Sequence, residues 1–184
     1  INEDAKIYFS EKEIRQVEDF CENAQDAVII RLLFDGVQGK ACSEIRNLKR
    51  EDVNFETGEL MLTDEDGSQR TLTVTERCLK LISEAIGEKT YIKSNGRMKE
   101  RENVRNFTDL LDNEYVIRSS NTGKDKNQGA VDKYVIYRRI STIEKTFGLD
   151  HLNIKNISRS GMLKLARDMI IANKCNLNLV MLIE

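Results

Sequence analysis

The sequence predicts a mostly α-helical domain with one small antiparallel β-hairpin. Apolar residues recur at helical spacing in several segments, and most of these segments start after a capping residue or end at a glycine. Two short segments rich in strand-forming residues flank a polar turn that contains Gly67. Proline, which interrupts helices, is absent from all 184 residues.

Three helices are predicted before the hairpin. Ser10 and Glu13 have the spacing of a capping box, which predicts a helix over roughly residues 11–23. Residues 27–34 are too apolar for a surface helix and lead to Gly36, so this segment is predicted to be a buried helix. Ser43 is expected to cap a short third helix.

The hairpin is predicted to pair residues 59–63 with residues 70–74 across an acidic turn. Thr75, immediately after the second strand, is expected to cap a helix that ends at Gly87. Helix, helix, hairpin, helix is therefore the predicted order of the first half of the chain.

The second half is predicted to be helical as well. Residues 131–147 form a long amphipathic segment ended by Gly148. A further helix is expected from about residue 153 to residue 170, and one more over residues 176–182. Residues 88–113 give mixed signals and predict a loop followed by a helix carrying Val104, Phe107, Leu110 and Leu111.

Composition excludes several classes of protein. A chain of this length that is 40% hydrophobic can bury one core. No apolar run reaches the length of a membrane span and no signal peptide is visible, so we expect a cytoplasmic location and no membrane partner. The four cysteines lie far apart and His151 is the only histidine, which predicts neither a zinc site, a disulfide framework nor a hydrolase triad. Cys42 is expected to pack in the core, and no metal or cofactor is expected.

Charge is distributed unevenly along the chain. A net charge of −2 argues against a protein that coats nucleic acid indiscriminately. The first third carries acidic runs, whereas residues 97–105 and 133–139 are rich in arginine and lysine. A locally basic face on an acidic body and an ordinary solvated surface both fit this distribution.

Residues 39–48 resemble the first catalytic box of the tyrosine recombinases, the family of the phage integrases. Ser43, Glu44, Leu48 and Asp52 fit the family pattern, but Ala41 stands where that box supplies an arginine. The resemblance implies the fold of a recombinase catalytic domain, and the order of the predicted elements agrees with it.

Residues 156–160 resemble the second box of the same family. Arg159 matches the second arginine, whereas Asn156 replaces a histidine and Ser160 the next polar residue. The family also places a lysine near the turn of the hairpin, where this chain has an acidic run, and Tyr137, the last tyrosine, precedes the second box. The transition state of strand cleavage gathers negative charge that cations must neutralise, so these departures predict a domain that has lost strand cleavage.

The predicted site is therefore a DNA-binding surface with vestigial catalytic positions at Ala41, Asn156 and Arg159. Exposed arginines and lysines can contact backbone phosphate without reading bases. Duplex DNA is the expected partner, a homo-oligomer and a protein or peptide regulator are possible further ones, and the candidate DNA contacts are Lys40, Lys124, Lys126, Arg138, Arg139 and Arg159.

The predicted function is that of a noncatalytic, integrase-like DNA-binding protein, such as a phage or prophage repressor. One alternative is a fragment of an active recombinase whose tyrosine lies beyond Glu184. A second alternative is a protein-interaction module on which the former DNA face is a relic. The chain starts at Ile1 without an initiator methionine, so we expect residues 1–184 to be the C-terminal type of domain, preceded by an N-terminal DNA-binding domain.

Overall fold

The computed structural model describes residues 7–97, 104–123 and 129–181, with side chains up to Lys174 in the last helix. The described residues form two antiparallel two-stranded sheets within a mostly helical domain. Three short 3-10 turns at Lys40–Cys42, Arg50–Asp52 and Lys93–Gly96 join longer elements. The helices are α1 (Glu11–Phe20), α2 (Ala24–Asp35), α3 (Ser43–Arg46), α4 (Glu76–Gly87), α5 (Lys133–Phe147) and α6 (Ile154–Met181), and the strands are β1 (Glu59–Thr63), β2 (Gln69–Thr73), β3 (Thr90–Ile92) and β4 (Phe107–Asp109).

Helix α2 is the centre of the core. Every residue from Gln25 to Phe34 is buried, and α1, α4, α5 and α6 all pack against this helix. Gly36 ends it with a φ of 102°, and the Gly36 N–H bonds the carbonyls of Leu32 and Leu33. The predicted buried helix is therefore confirmed.

The predicted caps of α1 and α4 are confirmed. The Ser10 hydroxyl accepts from the Glu13 N–H at 3.2 Å while the Glu13 carboxylate accepts from the Ser10 N–H at 3.3 Å. Helix α1 ends at Phe20, before the predicted residue 23. The buried Asn95 side chain donates to the Phe20 carbonyl at 3.0 Å and accepts from the Glu22 N–H at 2.7 Å, which satisfies the backbone at this helix end. Thr75 caps α4 by accepting from the Cys78 N–H.

The hairpin forms with the predicted turn. Its register pairs Glu59 with Thr73 and Thr63 with Gln69. Leu60 and Leu62 point into the core, whereas Met61 is exposed, as expected for a strand with one buried face. The two paired strands and the turn between them therefore span residues 59–73.

The predicted helix near residue 107 is wrong. Residues 107–109 form β4, which pairs antiparallel with β3 so that Ile92 lies opposite Phe107. Val104 and Phe107 are exposed while Leu110 and Leu111 are buried, so the apolar spacing does not describe one helical face. A distant segment, residues 90–92, supplies the backbone partner, and such a tertiary pairing overrides local spacing.

Helix α6 is one continuous helix where two were predicted. Its 28 residues run from Ile154 to Met181 without a break near residue 175. Residues 171–175 contain neither glycine nor proline, so nothing in the local sequence stops the helix. Within the described ranges, no helix is both long enough and apolar enough to cross a membrane.

Gly161 lets α6 cross directly over α2. A Cβ at this position would lie 1.8 Å from the carbonyl oxygen of Phe34 and 2.7 Å from the carbonyl carbon. Because both atoms belong to the backbone of a buried helix, they cannot move aside as a side chain would. The crossing of the two helices therefore requires glycine at position 161.

Substituting Gly161 with alanine is expected to lower the free energy of unfolding by about 2 kcal/mol or more, because the helices must separate. Gly87→Ala is the matched control, since a Cβ at that helical glycine meets no atom within 4 Å and alanine is the better helix former. Urea unfolding of both variants measures the difference. Equal stability of the two variants would contradict the close crossing.

Candidate nucleic-acid interface

The turn at the first box is a tight left-handed bend. Gly39 has a φ of 68°, and Ala41 and Cys42 follow with φ values of 53° and 57°. A Cβ on Gly39 would lie 2.5 Å from the Ser43 hydroxyl and 2.9 Å from the carboxylate of Asp64. The turn therefore requires glycine at position 39. At position 41 it presents the methyl group of Ala41, where the recombinase pattern has an arginine.

The acidic hairpin turn closes over this bend. Asp64 accepts hydrogen bonds from the Ser43 hydroxyl, from the Lys40 N–H at 3.0 Å and from the Glu65 N–H at 2.7 Å. The bond from Ser43 is the largest of the causes that hold the pKa of Asp64 below its usual value. Lys40 also pairs through its ammonium group with Glu65 at 3.2 Å. The Asp64 carboxylate therefore accepts the hydrogen bonds of the Ser43 hydroxyl and the Lys40 N–H at the first box.

Glu44 ties the first box to β2. Its carboxylate receives two bonds from the Arg70 guanidinium, at 2.7 and 2.9 Å, and one from the Gln38 N–H at 3.0 Å. The bond from Arg70 is the main reason why the pKa of Glu44 is lowered. Arg70 donates further to the Gly36 carbonyl at 2.8 Å, so this ion pair also holds the end of α2.

Arg46 is a candidate that the sequence analysis missed. Its Nε donates to the carbonyl oxygen of Ala41 at 3.0 Å, which places a half-buried guanidinium beside the position that lacks the family's arginine. The signal was present in the sequence as an arginine three residues after Ser43, on the short helix α3. The Arg46 side chain is therefore held by the backbone of the first box.

At the second box, the two replaced positions have structural roles. Asn156 is buried and donates from its side chain to the His151 carbonyl at 2.9 Å, which fixes the start of α6. Ser160 is buried as well, accepts from the Phe9 N–H at 2.9 Å and donates to the Asn156 carbonyl at 2.6 Å. Arg159 lies between them in sequence but is exposed.

The prediction that Arg139 faces DNA is wrong. Arg139 is only 6% exposed, and its guanidinium donates to the Arg118 carbonyl at 2.6 Å and to the Gln25 side chain at 3.2 Å. It also lies 4.7 Å from the centre of the Tyr91 ring and 3.9 Å from a carboxylate oxygen of Asp26. Helical geometry places neighbours about 100° apart, so Arg138 is exposed while Arg139 enters the core.

Only some of the predicted DNA-contact residues lie close together in the described part of the structure. Lys40 and Ala41 share one cluster with the acidic turn, and α5, which carries Arg138, packs against the same 3-10 turn. Among the described residues, the guanidinium groups of Arg138 and Arg159 make no hydrogen bond or ion pair. Lys124 and Lys126 lie outside the described residues, so their predicted role stays a prediction.

The comparisons with known proteins identify the family. The family described as "MrpR, C-terminal catalytic domain" matches residues 8–180. The chain belongs to this family. It is also 32% identical over 163 residues to the "SPbeta prophage-derived uncharacterized protein YopR" of Bacillus subtilis (strain 168), a match that covers 87% of this chain and 49% of YopR. The chain thus spans about half the length of that relative.

Solved recombinases share the fold of this MrpR-family domain. XerA recombinase matches over 88% of this chain and 51% of its own, with a TM-score of 0.61 at 17% identity. XerH, solved bound to its difH substrate in a pre-cleavage complex, matches over 89% of this chain and 44% of its own, with a TM-score of 0.56 at 12% identity. The Tn1549 transposon integrase, solved with a circular intermediate DNA, matches over 91% and 55%, with a TM-score of 0.53 at 16% identity. The predicted fold class is confirmed.

Substituting Glu44 with glutamine is expected to lower the free energy of unfolding by about 2 kcal/mol at pH 7, because Arg70 loses its charged partner. The folded pKa of Glu44 is lowered, so its contribution is present above the unfolded value of 4.5 and is lost as pH falls through the folded pKa. Denaturant unfolding between pH 7 and pH 3 should therefore show the two proteins converging at low pH. A constant difference across that range would contradict the ion pair.

Arg138 and Arg139 form a matched pair for mutagenesis. Arg139→Met is expected to lower the free energy of unfolding by about 3 kcal/mol, because Asp26 stays buried without its cation. Arg138→Ala is expected to change it by less than about 0.5 kcal/mol, as for other surface substitutions. Thermal and denaturant unfolding measure both; a stable Arg139→Met variant would show that this guanidinium is not needed in the core.

Proposed function

We propose that this chain is the noncleaving, DNA-binding portion of a phage or prophage transcriptional regulator, acting as a repressor. It binds duplex DNA through backbone phosphates and excludes polymerase by occupying its site. No covalent intermediate forms on the protein. The observation that carries the proposal is the state of the first box, where a methyl group replaces the arginine and Asp64 takes the available donors.

The contacts of this cluster disfavour strand cleavage. The pentavalent phosphorus of the transition state needs cations and donors that are already in place. At the first box, the Ser43 hydroxyl and the Lys40 N–H both donate to Asp64, and the Lys40 ammonium pairs with Glu65. A phosphate entering here meets three carboxylates, at Asp64, Glu65 and Asp66. Two of the nearby cations are already paired, Lys40 with Glu65 and Arg70 with Glu44. Such a site opposes phosphoryl transfer.

Support for DNA binding comes from the fold and from two exposed arginines. XerH and the Tn1549 integrase, which share this fold, are described in complexes with DNA. Arg138 and Arg159 are exposed and, among the described residues, unpaired, so each can reach a phosphate without first breaking an ion pair. Since the relative YopR is prophage-derived, regulation of phage genes is the biological role that fits best.

Arg159→Ala is expected to weaken DNA binding and to reduce the slope of log affinity against log salt by about 1, the value for one lost phosphate contact. Lys80→Ala is the matched control: it also removes one exposed cation, but from α4, where Lys80 makes a long pair of 3.9 Å with Glu84. Fluorescence anisotropy at several salt concentrations measures both slopes. An unchanged slope in Arg159→Ala would remove this residue from the interface.

The proposal itself is tested with the full-length protein and fragmented genomic DNA at near-physiological salt. Sequencing the retained fragments should reveal one recurring motif, and denaturation of the complex should leave no protein attached to DNA. A protein–DNA adduct that survives denaturation would establish an active recombinase instead. Failure to retain DNA even at low salt would favour the protein-interaction module.

A further inference from the structure

The hydrogen bonds that Asp64 receives at the first box all end on one oxygen atom. The Lys40 nitrogen lies 3.0 Å from Asp64 Oδ1. The Glu65 nitrogen lies 2.7 Å from the same atom, and the Ser43 hydroxyl also donates to it. Backbone N–H and hydroxyl groups that converge on one oxygen are the means by which proteins hold an oxyanion. We call these three donors, from Lys40, Ser43 and Glu65, the oxyanion site.

The Ser43 hydroxyl depends on an acceptor at this point. Ser43 is 0% exposed, and its hydroxyl donates to Asp64. A buried hydroxyl that loses its acceptor costs free energy, so the oxyanion site without the Asp64 carboxylate favours another acceptor oxygen. Gly39 keeps the position free of side chains, because a Cβ there would lie 2.9 Å from Asp64 Oδ1.

The oxyanion site can be reached from solvent on two sides of Asp64. Two open cavities, of about 300 and about 350 Å³, both have Asp64 in their lining. Arg70 lines the smaller cavity and Lys40 the larger one. An oxyanion that enters either cavity can therefore approach the position of Oδ1 with a cation nearby. The carboxylates of Glu65 and Asp66 remain close as well, so such an ion is expected to bind weakly.

We propose that Asp64 is an internal ligand of this oxyanion site and that its carboxylate keeps the first box closed to phosphate. Because the hairpin holds the carboxylate beside the donors, its effective concentration there exceeds that of a free ion. A phosphate group must displace the carboxylate and is also repelled by its charge. The ligand class of the emptied site is a tetrahedral oxyanion, either inorganic phosphate or the backbone phosphate of DNA. The contact forms without DNA and does not depend on the proposed function.

Isothermal titration calorimetry of the full-length protein with inorganic phosphate, at constant ionic strength, tests the proposal. Asp64→Ala empties the oxyanion site and should bind phosphate about tenfold or more tightly than the wild-type protein does, because two donors regain an acceptor. Asp64→Asn is the matched control. It removes the same charge but keeps a carbonyl oxygen that can accept the same bonds, so its phosphate affinity should stay near that of the wild type.

A double variant tests whether the gained phosphate lies at the oxyanion site. Adding Ser43→Ala to Asp64→Ala removes the hydroxyl donor and should abolish most of the gain. Equal phosphate affinity of Asp64→Ala and Asp64→Asn would overturn the proposal, since charge alone would then explain any effect. If circular dichroism shows that Asp64→Ala is unfolded in chloride, phosphate at the same ionic strength should restore its helical signal. A variant that stays unfolded in phosphate would also overturn the proposal.

DNA provides the second source of phosphate, and this arm of the test rests on the proposed function. In fluorescence anisotropy with duplex DNA, Asp64→Ala should steepen the slope of log affinity against log salt by about 1, the value for one added phosphate contact. The slope of Asp64→Asn should remain that of the wild type. A wild-type protein that binds no DNA, together with an Asp64→Ala variant that gains inorganic phosphate, would refute the proposed function and support the oxyanion site.

Discussion

The complete burial of α2 is the constraint on which the remaining structure depends. A helix in the centre of a core has no contact with water, so each polar side chain on it must find its partner within the protein. Arg31 binds Glu18 at 2.7 Å and Glu11 at 3.0 Å on α1. Gln25 donates to the Val116 carbonyl at 2.8 Å and accepts from the Arg118 N–H at 2.9 Å. The polar residues of α2 thereby fix the position of the segments around it.

The separation in sequence between interacting residues explains which parts of the fold could be predicted. Caps and helix ends depend on residues close in sequence, so Ser10, Thr75 and Gly36 were sufficient to locate α1, α4 and the end of α2. The pairing of β3 with β4 depends instead on segments about fifteen residues apart, and the spacing of residues 104–111 gave a misleading helical signal. Arg139 was misassigned for a related reason, since only the buried Asp26 and Gln25 on α2 reveal why an arginine is needed inside.

The departures of the candidate site from the recombinase pattern could be predicted from the sequence, but the contacts of the residues at those positions could not. The motif alone identified Ala41 and Asn156 as departures from the recombinase pattern. It could not show that Asn156 binds the His151 carbonyl or that Ser160 holds the backbone of Phe9, because these partners are distant or lie outside any motif. Nor could it place Arg46 beside Ala41. A departure from a motif can be seen in the sequence, whereas the contact made by the residue that stands there is visible only in three dimensions.

The carboxylate of Asp64 at the first box changes the thermodynamics of any phosphate that approaches it. DNA binding gains entropy when mobile cations leave the phosphates, and the same reasoning applies to mobile anions that leave a cationic protein surface. Asp64 is an anion attached to the chain, and it receives bonds from Ser43 and Lys40. Its displacement would release no anion into solution, so this part of the surface adds no anion release to the entropy of binding, and the carboxylate stays close enough to repel the phosphate. In the proposed function, affinity for DNA is therefore supplied away from the first box, at exposed cations such as Arg138 and Arg159.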